Sequence, residues 1–358
     1  MKVLLVSVFR ESVIGGVSVH TSNLRDRLRA AGYDVATVDF YPALDPDRGA
    51  LTRLRGLRRV LRRVLAEADR GYRLVHIHAS NKAIPFYLLA RRLQRRGCQV
   101  ALSIHSGLGY FTWLENHHFF ARLNRAYFPL LDRLVFMNEA ESARARRHYP
   151  SLAERVVTIN PFVAPEVGAL RERGTPAPPP LRVVTVGAFI PRYATEEAIE
   201  ACARLARRTR RPVELTLIIS SAYAQPDYRA RLEAAAADAS GEHLTCRFVV
   251  DTQDVLAVMQ GHHAFVRPAR GDSYGLCVAE ALLLGIPSIA TDVCQRCARA
   301  DLYAPGDLDA LVAWLERRAT SPEVADHSLL DREEDSFFQY ESLYAQLAPA
   351  APGTVPTA

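Results

Sequence analysis

The sequence predicts an α/β protein of two doubly wound domains, and three observations support this fold class. Short apolar runs rich in Val, Ile and Leu alternate with helical stretches over residues 1–165, and the same alternation restarts at Leu181. A Gly- and Pro-rich stretch separates the two series. A chain of 358 residues is long enough for two domains of ordinary size. Because parallel strands end at one edge of a sheet, we expect ligand sites at those edges, facing a cleft between the domains.

The first series gives the alternation of strand and helix that a parallel sheet needs. The opening run Met1–Phe9 has no small-residue cleavage site, so we interpret it as a buried strand rather than a leader peptide. The predicted strands are 2–8, 34–39, 74–78, 99–105, 133–138 and 155–159. The predicted helices are 19–31, 50–68, 83–96 and 140–148.

The second series begins after a predicted linker, 166–180, which contains four prolines and two glycines. Its predicted strands are 182–186, 214–219, 245–249, 264–268 and 288–291. A helical segment, 333–347, follows the second predicted domain, 181–332. The Ala- and Pro-rich tail, 348–358, is typical of a disordered terminus.

The composition is that of a folded protein, with 49% hydrophobic and 23% charged residues. No apolar run reaches the roughly 18 to 20 residues that a membrane span requires. Among six cysteines only Cys294 and Cys297 form a C-x-x-C pair, and no second pair completes a zinc site. We therefore expect a cytoplasmic protein with reduced thiols and no bound metal.

The segment 271–287 carries the strongest functional signal. Asp272 lies in a Gly-bounded polar turn, and Glu280 follows about two turns into an apolar helix. The start of a helix presents free N–H groups and the positive end of the helix dipole, which suits a phosphate. A carboxylate further along can accept hydrogen bonds from ribose hydroxyls. The segment therefore predicts a nucleotide-sugar pocket, and the alternative is a loop–helix corner with two solvated acids.

This segment resembles family 4 of the retaining nucleotide-sugar glycosyltransferases, which have the GT-B fold. That family carries two glutamates with seven residues between them, and here Asp272 replaces the first while Glu280 matches the second. Further family positions are matched by Gly275, Leu276, Ala281, Gly285 and Pro287.

Two places in the first half also match the family. The Gly15–Gly16 pair follows the first strand, where the family brings backbone N–H groups close to the diphosphate and the acceptor; a plain turn would explain the pair equally well. His105 ends the fourth strand, where a family histidine faces the donor sugar. His76 and His78 share a strand face, but no third metal ligand is evident, so we interpret them as structural or cleft-lining residues.

One place departs from the family. The family holds the diphosphate with Gly-Arg and a later Lys-Gly, and this chain has Gly187-Ala188 and Tyr193-Ala194 instead. Arg192 is the nearest substitute, and its alternative interpretation is a surface charge. Arg267 and Arg270, just before the Asp272 turn, are further candidates.

The resemblance implies transfer of a hexose-type sugar, with retention, from a UDP- or GDP-sugar to a saccharide or lipid-linked saccharide in the synthesis of a cell-surface glycan such as lipopolysaccharide. It implies no metal or other cofactor. It also implies that residues 1–165 bind the acceptor, that residues 181–332 bind the donor and that 333–347 returns to the first domain.

The resemblance implies a role for each site residue. Glu280 would hold the ribose, Asp272 the donor hydroxyls and His105 the far side of the sugar. The diphosphate would be held by Arg192, Arg267 and the turn Ser273, Tyr274, Gly275 and Leu276. A nucleotide-sugar epimerase and a non-catalytic partner of another transferase are the alternatives.

Two segments remain open between membrane contact and internal packing. Residues 51–65 combine a leucine stripe with six arginines, which suits either an anionic membrane at its inner face or a helix packed on its own sheet. Residues 107–129 hold nine aromatic or histidine side chains, for which acceptor or membrane contact is favoured over a buried helical hairpin. No nucleic-acid-binding motif accompanies the net charge of +6, so we expect no nucleic-acid partner.

Overall fold

The computed structural model describes residues 1–9, 11–12, 15–41, 49–79, 84–105, 109–163, 180–222, 224–320 and 336–348. The predicted linker, apart from its last residue, and the predicted tail, apart from its first, lie outside the described residues. The chain divides into two compact units, of which the first comprises Met1–Pro161 and Ser336–Ala358 and the second Phe162–Asp335.

The first unit is built on a six-stranded sheet in which every strand pair is parallel, with the order β2-β1-β3-β4-β5-β6. The strands are β1 (Lys2–Ser7), β2 (Asp34–Asp39), β3 (Leu74–Ala79), β4 (Gln99–Ile104), β5 (Arg133–Phe136) and β6 (Val156–Thr158). The residues of β3 are all buried, as are those of β1 and β4 beyond their first residue. Continuous apolar runs have this burial when helices cover both faces of a parallel sheet.

Helices connect these strands in the way that a parallel sheet requires. They are α1 (Gly16–Ala30), α2 (Ala50–Asp69), α3 (Ile84–Gln94), α4 (Gly109–Glu115), α5 (His118–Tyr127) and α6 (Glu139–His148), with 3₁₀ turns at Phe128–Leu130 and Pro150–Arg155. α1 begins three residues before its prediction, because its first residue is a glycine, which sequence patterns assign to turns.

The strand order places a topological switch point in the first unit. The chain passes from β1 outward to β2 and then returns past β1 to β3, so the connections at the carboxyl ends of β1 and β3 diverge. Such a point leaves a crevice at the edge of the sheet. Gly15 follows β1 and His78 lies near the carboxyl end of β3, so the glycine pair and this histidine lie at the same edge of the sheet.

The aromatic segment is buried in part, so the favoured prediction of acceptor or membrane contact is wrong for Tyr110, Phe111 and Phe128, which are fully buried. The rings of Tyr110 and Phe111 lie 5.2 Å apart, and Phe111 lies 5.9 Å from Phe136 of β5.

The other side chains of this segment are more accessible. Trp113, Phe120 and Tyr127 are half-buried, His117 and His118 are exposed, and Phe119 is 69% exposed. Contact with an acceptor or a membrane stays a prediction for these residues.

The second unit has a parallel sheet with the order β12-β11-β10-β7-β8-β9. Its strands are β7 (Leu181–Ala188), β8 (Val213–Ser220), β9 (Leu244–Val250), β10 (Ala264–Arg267), β11 (Ser288–Thr291) and β12 (Asp301–Tyr303). Its helices are α7 (Thr195–Thr209), α8 (Pro226–Ala239), α9 (Val255–Met259), α10 (Leu276–Leu283) and α11 (Leu308–Thr320), with a 3₁₀ turn at Pro191–Tyr193. Read from β9, the order is that of dinucleotide-binding folds, and its switch point falls between β7 and β10.

The predicted α/β fold class is therefore confirmed for both series of strands. The edge strand β12 was not predicted, because three residues with an exposed Asp301 show no alternation. Among the described residues, no helix combines the length and apolarity needed to cross a bilayer.

The last described helix, α12 (Phe337–Leu347), belongs to the first unit although it follows the second in the chain. Arg27 of α1 places its guanidinium over the ring of Phe337 at 4.3 Å. Tyr340 and Tyr344 are fully buried, whereas Phe338 is 63% exposed. Phe338 lies on the other side of α12, because helical geometry turns adjacent residues about 100° apart and only one side of the helix faces the unit.

One buried acid in the first unit generates a stability prediction. Both carboxylate oxygens of Glu141, at the start of α6, are buried without a hydrogen-bond partner among the described residues. Burial raises the pKa of Glu141 from 4.5 to about 7, against the weaker opposing effect of Arg144. The protonated form therefore stabilises the fold below pH 4.5, and this contribution is lost as the pH rises to about 7.

We expect Glu141→Gln, which stays neutral, to match the wild type below pH 4.5 and to gain stability above pH 7. The gain should be about 2 kcal/mol, because the rise from 4.5 to about 7 corresponds to about 3.5 kcal/mol at about 1.4 kcal/mol per pKa unit, and solvent screening lowers this figure. Urea unfolding from pH 4 to pH 8 measures it. Glu139→Gln in the same helical turn is the control: that carboxylate is exposed, and bonds from Thr158 and Arg146 lower its pKa, so this variant should gain no stability above pH 7. A gain that does not depend on pH would contradict the assignment.

Candidate functional site

A buried carboxylate between two arginines organises the turn that precedes α10 in the second unit. Nε of Arg267 and Nη1 of Arg296 each donate to Oδ2 of Asp272 at 2.9 Å. The other oxygen, Oδ1, accepts from the backbone N–H of Ser273 at 3.1 Å. All three charged side chains are buried. The carboxylate of Asp272 therefore joins both arginines to the backbone of the turn.

The charge state of this trio is fixed. Burial alone would raise the pKa of Asp272, but Arg267 and Arg296 outweigh it and hold that pKa well below its usual range. Burial likewise lowers the pKa of Arg267, and the attraction of Asp272 more than compensates. Both oxygens of Asp272 are occupied in this arrangement, so its predicted contact with donor hydroxyls stays a prediction.

Arg296 was not predicted from the sequence. It lies inside the C-x-x-C pair, 24 residues from Asp272, and no local pattern links the two. Besides the carboxylate it contacts the turn directly, because Nη1 donates to the carbonyl of Tyr274 at 3.0 Å and Nε donates to the carbonyl of Thr291 at 3.3 Å. Nη2 of Arg296 is buried with no hydrogen-bond partner in the described part of the chain. A buried guanidinium N–H in this state favours an anionic ligand.

The backbone conformation and the packing around the turn require a glycine at position 275. Its φ is +79°, a left-handed conformation that side chains disfavour. A Cβ there would overlap Nη1 of Arg296 and approach Oδ2 of Asp272 to 3.1 Å. Gly275 therefore lets the two side chains pass beneath the turn, and it caps α10 without a side chain that would cover the first N–H groups.

The remaining predicted residues near the start of α10 differ in how far they are buried. The side chain of Tyr274 is buried in the core, so only its backbone is free to contact a ligand. Ser273 and Leu276 are half-buried. Glu280 is the fifth residue of α10 and is buried. The first four N–H groups of a helix have no partner within it, so this end of α10 is suited to bind an anion.

The arginines near β7 divide into two groups. Arg192 is exposed in the 3₁₀ turn after β7, and its Nε donates to the carbonyl of Gly271 at 2.6 Å. No carboxylate in the described part of the chain pairs with Arg192, so its charge is available at the switch point. Arg270, by contrast, pairs with Glu196 and Glu197 at the start of α7 at 3.4 and 3.1 Å. Arg270 is therefore a weaker candidate for a ligand contact.

In the first unit, Gly15 and Gly16 leave open space at the start of α1. Both residues are exposed, and a Cβ built on either would meet no heavy atom within 4 Å. Gly15 has an extended φ of 174°, which any residue can adopt. The packing of the described residues therefore gives no reason for glycine here, in contrast to Gly275.

His105 joins a cluster of four histidines at the switch point of the first sheet. Nε2 of His105 lies 3.0 Å from Nδ1 of His78, and the rings of His20 and His105 lie 5.2 Å apart. His76 is hydrogen-bonded through both nitrogens, to the hydroxyl of Tyr344 at 2.7 Å and to Ser103 at 2.8 Å. The expectation that no third potential metal ligand lies near His78 is wrong, because α1 and the residue after β4 bring His20 and His105 to it.

The histidines of this cluster are neutral at pH 7. Burial lowers the pKa of His20 to about 4 and that of His76 to about 3. Burial, and then repulsion from the neighbouring imidazoles, holds the pKa values of His78 and His105 well below their usual range. His105 can therefore donate or accept a hydrogen bond but brings no charge of its own.

Comparisons with known proteins identify relatives of both halves. The family model described as Glycosyltransferase Family 4 matches residues 14–167, and the model described as Glycosyl transferases group 1 matches residues 180–319. No curated protein matches the sequence.

Solved structures match over nearly the whole chain. Sucrose-phosphate synthase from Thermosynechococcus elongatus is 20% identical with a TM-score of 0.72, covering 97% of this chain and 99% of that one. HepE from Anabaena, in complex with UDP and glucose, is 14% identical with a TM-score of 0.66, covering 96% and 99%. A UDP-forming trehalose-phosphate synthase from Burkholderia xenovorans is 14% identical with a TM-score of 0.68, covering 97% and 99%. These likenesses show the GT-B fold.

We expect Asp272→Asn to destabilise the second unit by about 3 kcal/mol, because removing the charge leaves two buried guanidinium groups uncompensated. Urea unfolding, followed by the fluorescence of Trp314 in a variant that lacks the other tryptophan, Trp113, measures the change. Asp292→Asn is the matched control, since Asp292 is exposed. Equal stability of the two variants would contradict a supporting role for Asp272.

Proposed function

This chain belongs to glycosyltransferase family 4 and is a nucleotide-sugar glycosyltransferase, and from that premise we propose that it transfers a hexose-type sugar from a UDP- or GDP-sugar with retention of configuration. The acceptor is a saccharide or lipid-linked saccharide of a cell-surface glycan, and the transfer uses no metal or other cofactor.

The observation that carries this proposal is the buried trio of Asp272, Arg267 and Arg296 under the turn that opens α10. The trio fixes the backbone N–H groups of residues 274–276 before a ligand arrives, while the N–H of Ser273 is bonded to Asp272. Preorganised donors are worth most where negative charge develops during the reaction. We assign the diphosphate of the donor to these groups.

Two cations replace the family's missing Arg and Lys in this assignment. The N–H groups of Arg296 Nη2 are buried and unused within the described residues, and the guanidinium of Arg192 is exposed beside Gly271. Arg267 contributes through the trio, with its guanidinium 4.6 Å from the centre of the Tyr193 ring. Together they offset the charge that the leaving diphosphate gains.

The transfer follows the front-face route that the family implies. The bond between the anomeric carbon and the β-phosphate oxygen breaks, and the acceptor oxygen bonds to that carbon on the same face. The acceptor's proton passes to a leaving phosphate oxygen, so no separate general base is needed. We assign the ribose to Glu280, donor hydroxyls to Asp272 and one sugar hydrogen bond to neutral His105.

Two solved relatives guide the choice of substrates. The HepE structure contains UDP and glucose, and the trehalose-phosphate synthase is UDP-forming. Uridine diphosphate sugars are therefore the first donors to test, and saccharides are the first acceptors.

The first half of α2 supports an acceptor at a membrane surface. Leu51 is 62% exposed and Leu54 is 47% exposed, and arginines 53, 55, 58 and 59 around them are exposed as well. The second half of the helix packs inward through Val64 and Ala68. The alternative of internal packing thus holds for the second half only. We propose that the first half binds the anionic inner face of a membrane, with the protein otherwise in the cytoplasm.

A cavity of about 400 Å³ on the same unit strengthens the case for anionic ligands. It lies between α3 and α5 and is lined by Arg91, Arg92, Arg95, Ala126, Tyr127 and Leu130. Within the described residues these three arginines pair with no carboxylate. None of the predicted site residues lines this cavity, so we relate it to a phosphate or lipid headgroup rather than to the donor.

We expect the protein to release UDP or GDP slowly from one member of a panel of nucleotide sugars, with the sugar of retained configuration by NMR. Glu280→Gln should raise the KM for the donor about tenfold, because one lost hydrogen bond to a charged group is worth about 1.5 kcal/mol or more.

Gly16→Ala and Gly275→Ala form a matched pair for the same assay. Gly16→Ala should keep the wild-type Tm, because its Cβ meets nothing, yet lose activity. Gly275→Ala should lose stability as well, because its Cβ overlaps Arg296. Release of no nucleotide from any donor, or isomerisation with the nucleotide retained, would contradict the proposal.

We expect the protein to sediment with phosphatidylglycerol vesicles and not with phosphatidylcholine vesicles. Arg55→Ala with Arg58→Ala should weaken binding roughly tenfold or more, since each basic residue near an anionic surface contributes about 1 kcal/mol. Arg317→Ala, an exposed change in the second unit, is the control. Equal binding by all variants would show that α2 is not the contact.

A further inference from the structure

Three of the clustered histidines have the geometry of a metal site. His20, His78 and His105 each offer one ring nitrogen, and these nitrogens all lie within 4.8 Å of one another. They come from α1, β3 and the residue after β4, so the sheet and its first helix hold them together. Two nitrogen ligands of a tetrahedral zinc ion, each at about 2.0 Å from the metal, lie about 3.3 Å apart. The 3.0 Å between His78 Nδ1 and His105 Nε2 is close to that spacing.

One hydrogen bond joins the two nitrogens that face each other, Nδ1 of His78 and Nε2 of His105, and a single proton between them makes one a donor and the other an acceptor. Ligation of a metal would replace that hydrogen bond with two metal–nitrogen bonds. Burial also keeps all three imidazoles neutral, which is the form that ligates metals.

The surroundings supply an outer shell and exclude the fourth histidine. Nε2 of His20 is hydrogen-bonded to the hydroxyl of Tyr340 at 2.9 Å, which fixes the orientation of that ring. Metal-binding histidines usually have such a partner on their second nitrogen. His76 stacks on His78 with ring centres 4.0 Å apart, but both its nitrogens are already bonded. The site is therefore limited to three ligands.

From this arrangement we propose that His20, His78 and His105 form a binding site for a divalent transition metal, with Zn²⁺ as the preferred ion. Three neutral imidazoles select Zn²⁺, Co²⁺, Ni²⁺ or Cu²⁺ over Mg²⁺ and Mn²⁺, which prefer oxygen ligands. Three protein ligands leave a fourth position for water or a hydroxyl group.

The site has a consequence for the proposed transfer, and this part rests on the proposed function. A metal on His105 would fix and add positive charge to the imidazole that we assign to a hydrogen bond with the donor sugar. Zn²⁺ should then inhibit transfer, while Mg²⁺ and chelators should leave it unchanged. Because metal binding is measured without any substrate, failure of the site and failure of the proposed function are separate results.

Titration of the full-length protein with Co²⁺ tests the site directly. We expect one equivalent to bind with the visible bands of four-coordinate Co²⁺ and with no thiolate charge-transfer band, and Zn²⁺ to displace it. His105→Gln should weaken binding about 100-fold, and Tyr340→Phe about tenfold, as an outer-shell change does. His118→Gln is the control, because this histidine is exposed on α5 and should bind as the wild type does.

The other results would overturn the proposal. These are no visible band for the wild type, equal binding by His105→Gln, or a thiolate band that places the ion at Cys294 or Cys297. His78→Gln gives a second ligand test, with circular dichroism to check its fold. If that buried variant does not fold, the half-exposed His105 decides alone.

Discussion

The donor half of this glycosyltransferase depends on one carboxylate that two guanidinium groups hold beneath a turn. Buried ion pairs of this kind add little net stability, because the cost of desolvating the charges offsets most of their attraction. Their benefit here is geometric. The trio of Asp272, Arg267 and Arg296 ties β10, the turn and the segment after β11 to one point, and Gly275 supplies the space that this requires. The helix start is thereby set before any ligand binds.

The fold was largely predictable because its signal is local. Strands β2 and β11 have their predicted bounds, since apolar runs between turn residues define both ends. The site was predictable only in part. Asp272 and Glu280 lie in one recognisable segment, whereas Arg296 reaches Asp272 across 24 residues, and His20 reaches His78 from a different element. Contacts of this kind depend on the order of the strands, which a local pattern does not contain.

The two units have parallel sheets of different strand order, and their switch points differ in electrostatics. Each places its functional side chains where neighbouring connections leave a parallel sheet in different directions. The second unit fills this position with fixed charges, while the first fills it with uncharged imidazoles that two tyrosines of α12 hold in place. Charged groups suit a phosphate, and neutral lone pairs suit hydroxyl groups or a soft cation.

The return of α12 to the first unit also affects how the chain acquires its shape during synthesis. A ribosome releases β1 first, yet His20 and His76 lack their tyrosine partners until residue 344 has emerged. An amino-terminal domain ordinarily folds as soon as it leaves the ribosome. Here the amino-terminal half must wait, incomplete, while the whole of the second half is translated. The histidine cluster therefore gains its tyrosine partners late in synthesis, and a product that ended before residue 340 would lack both of them.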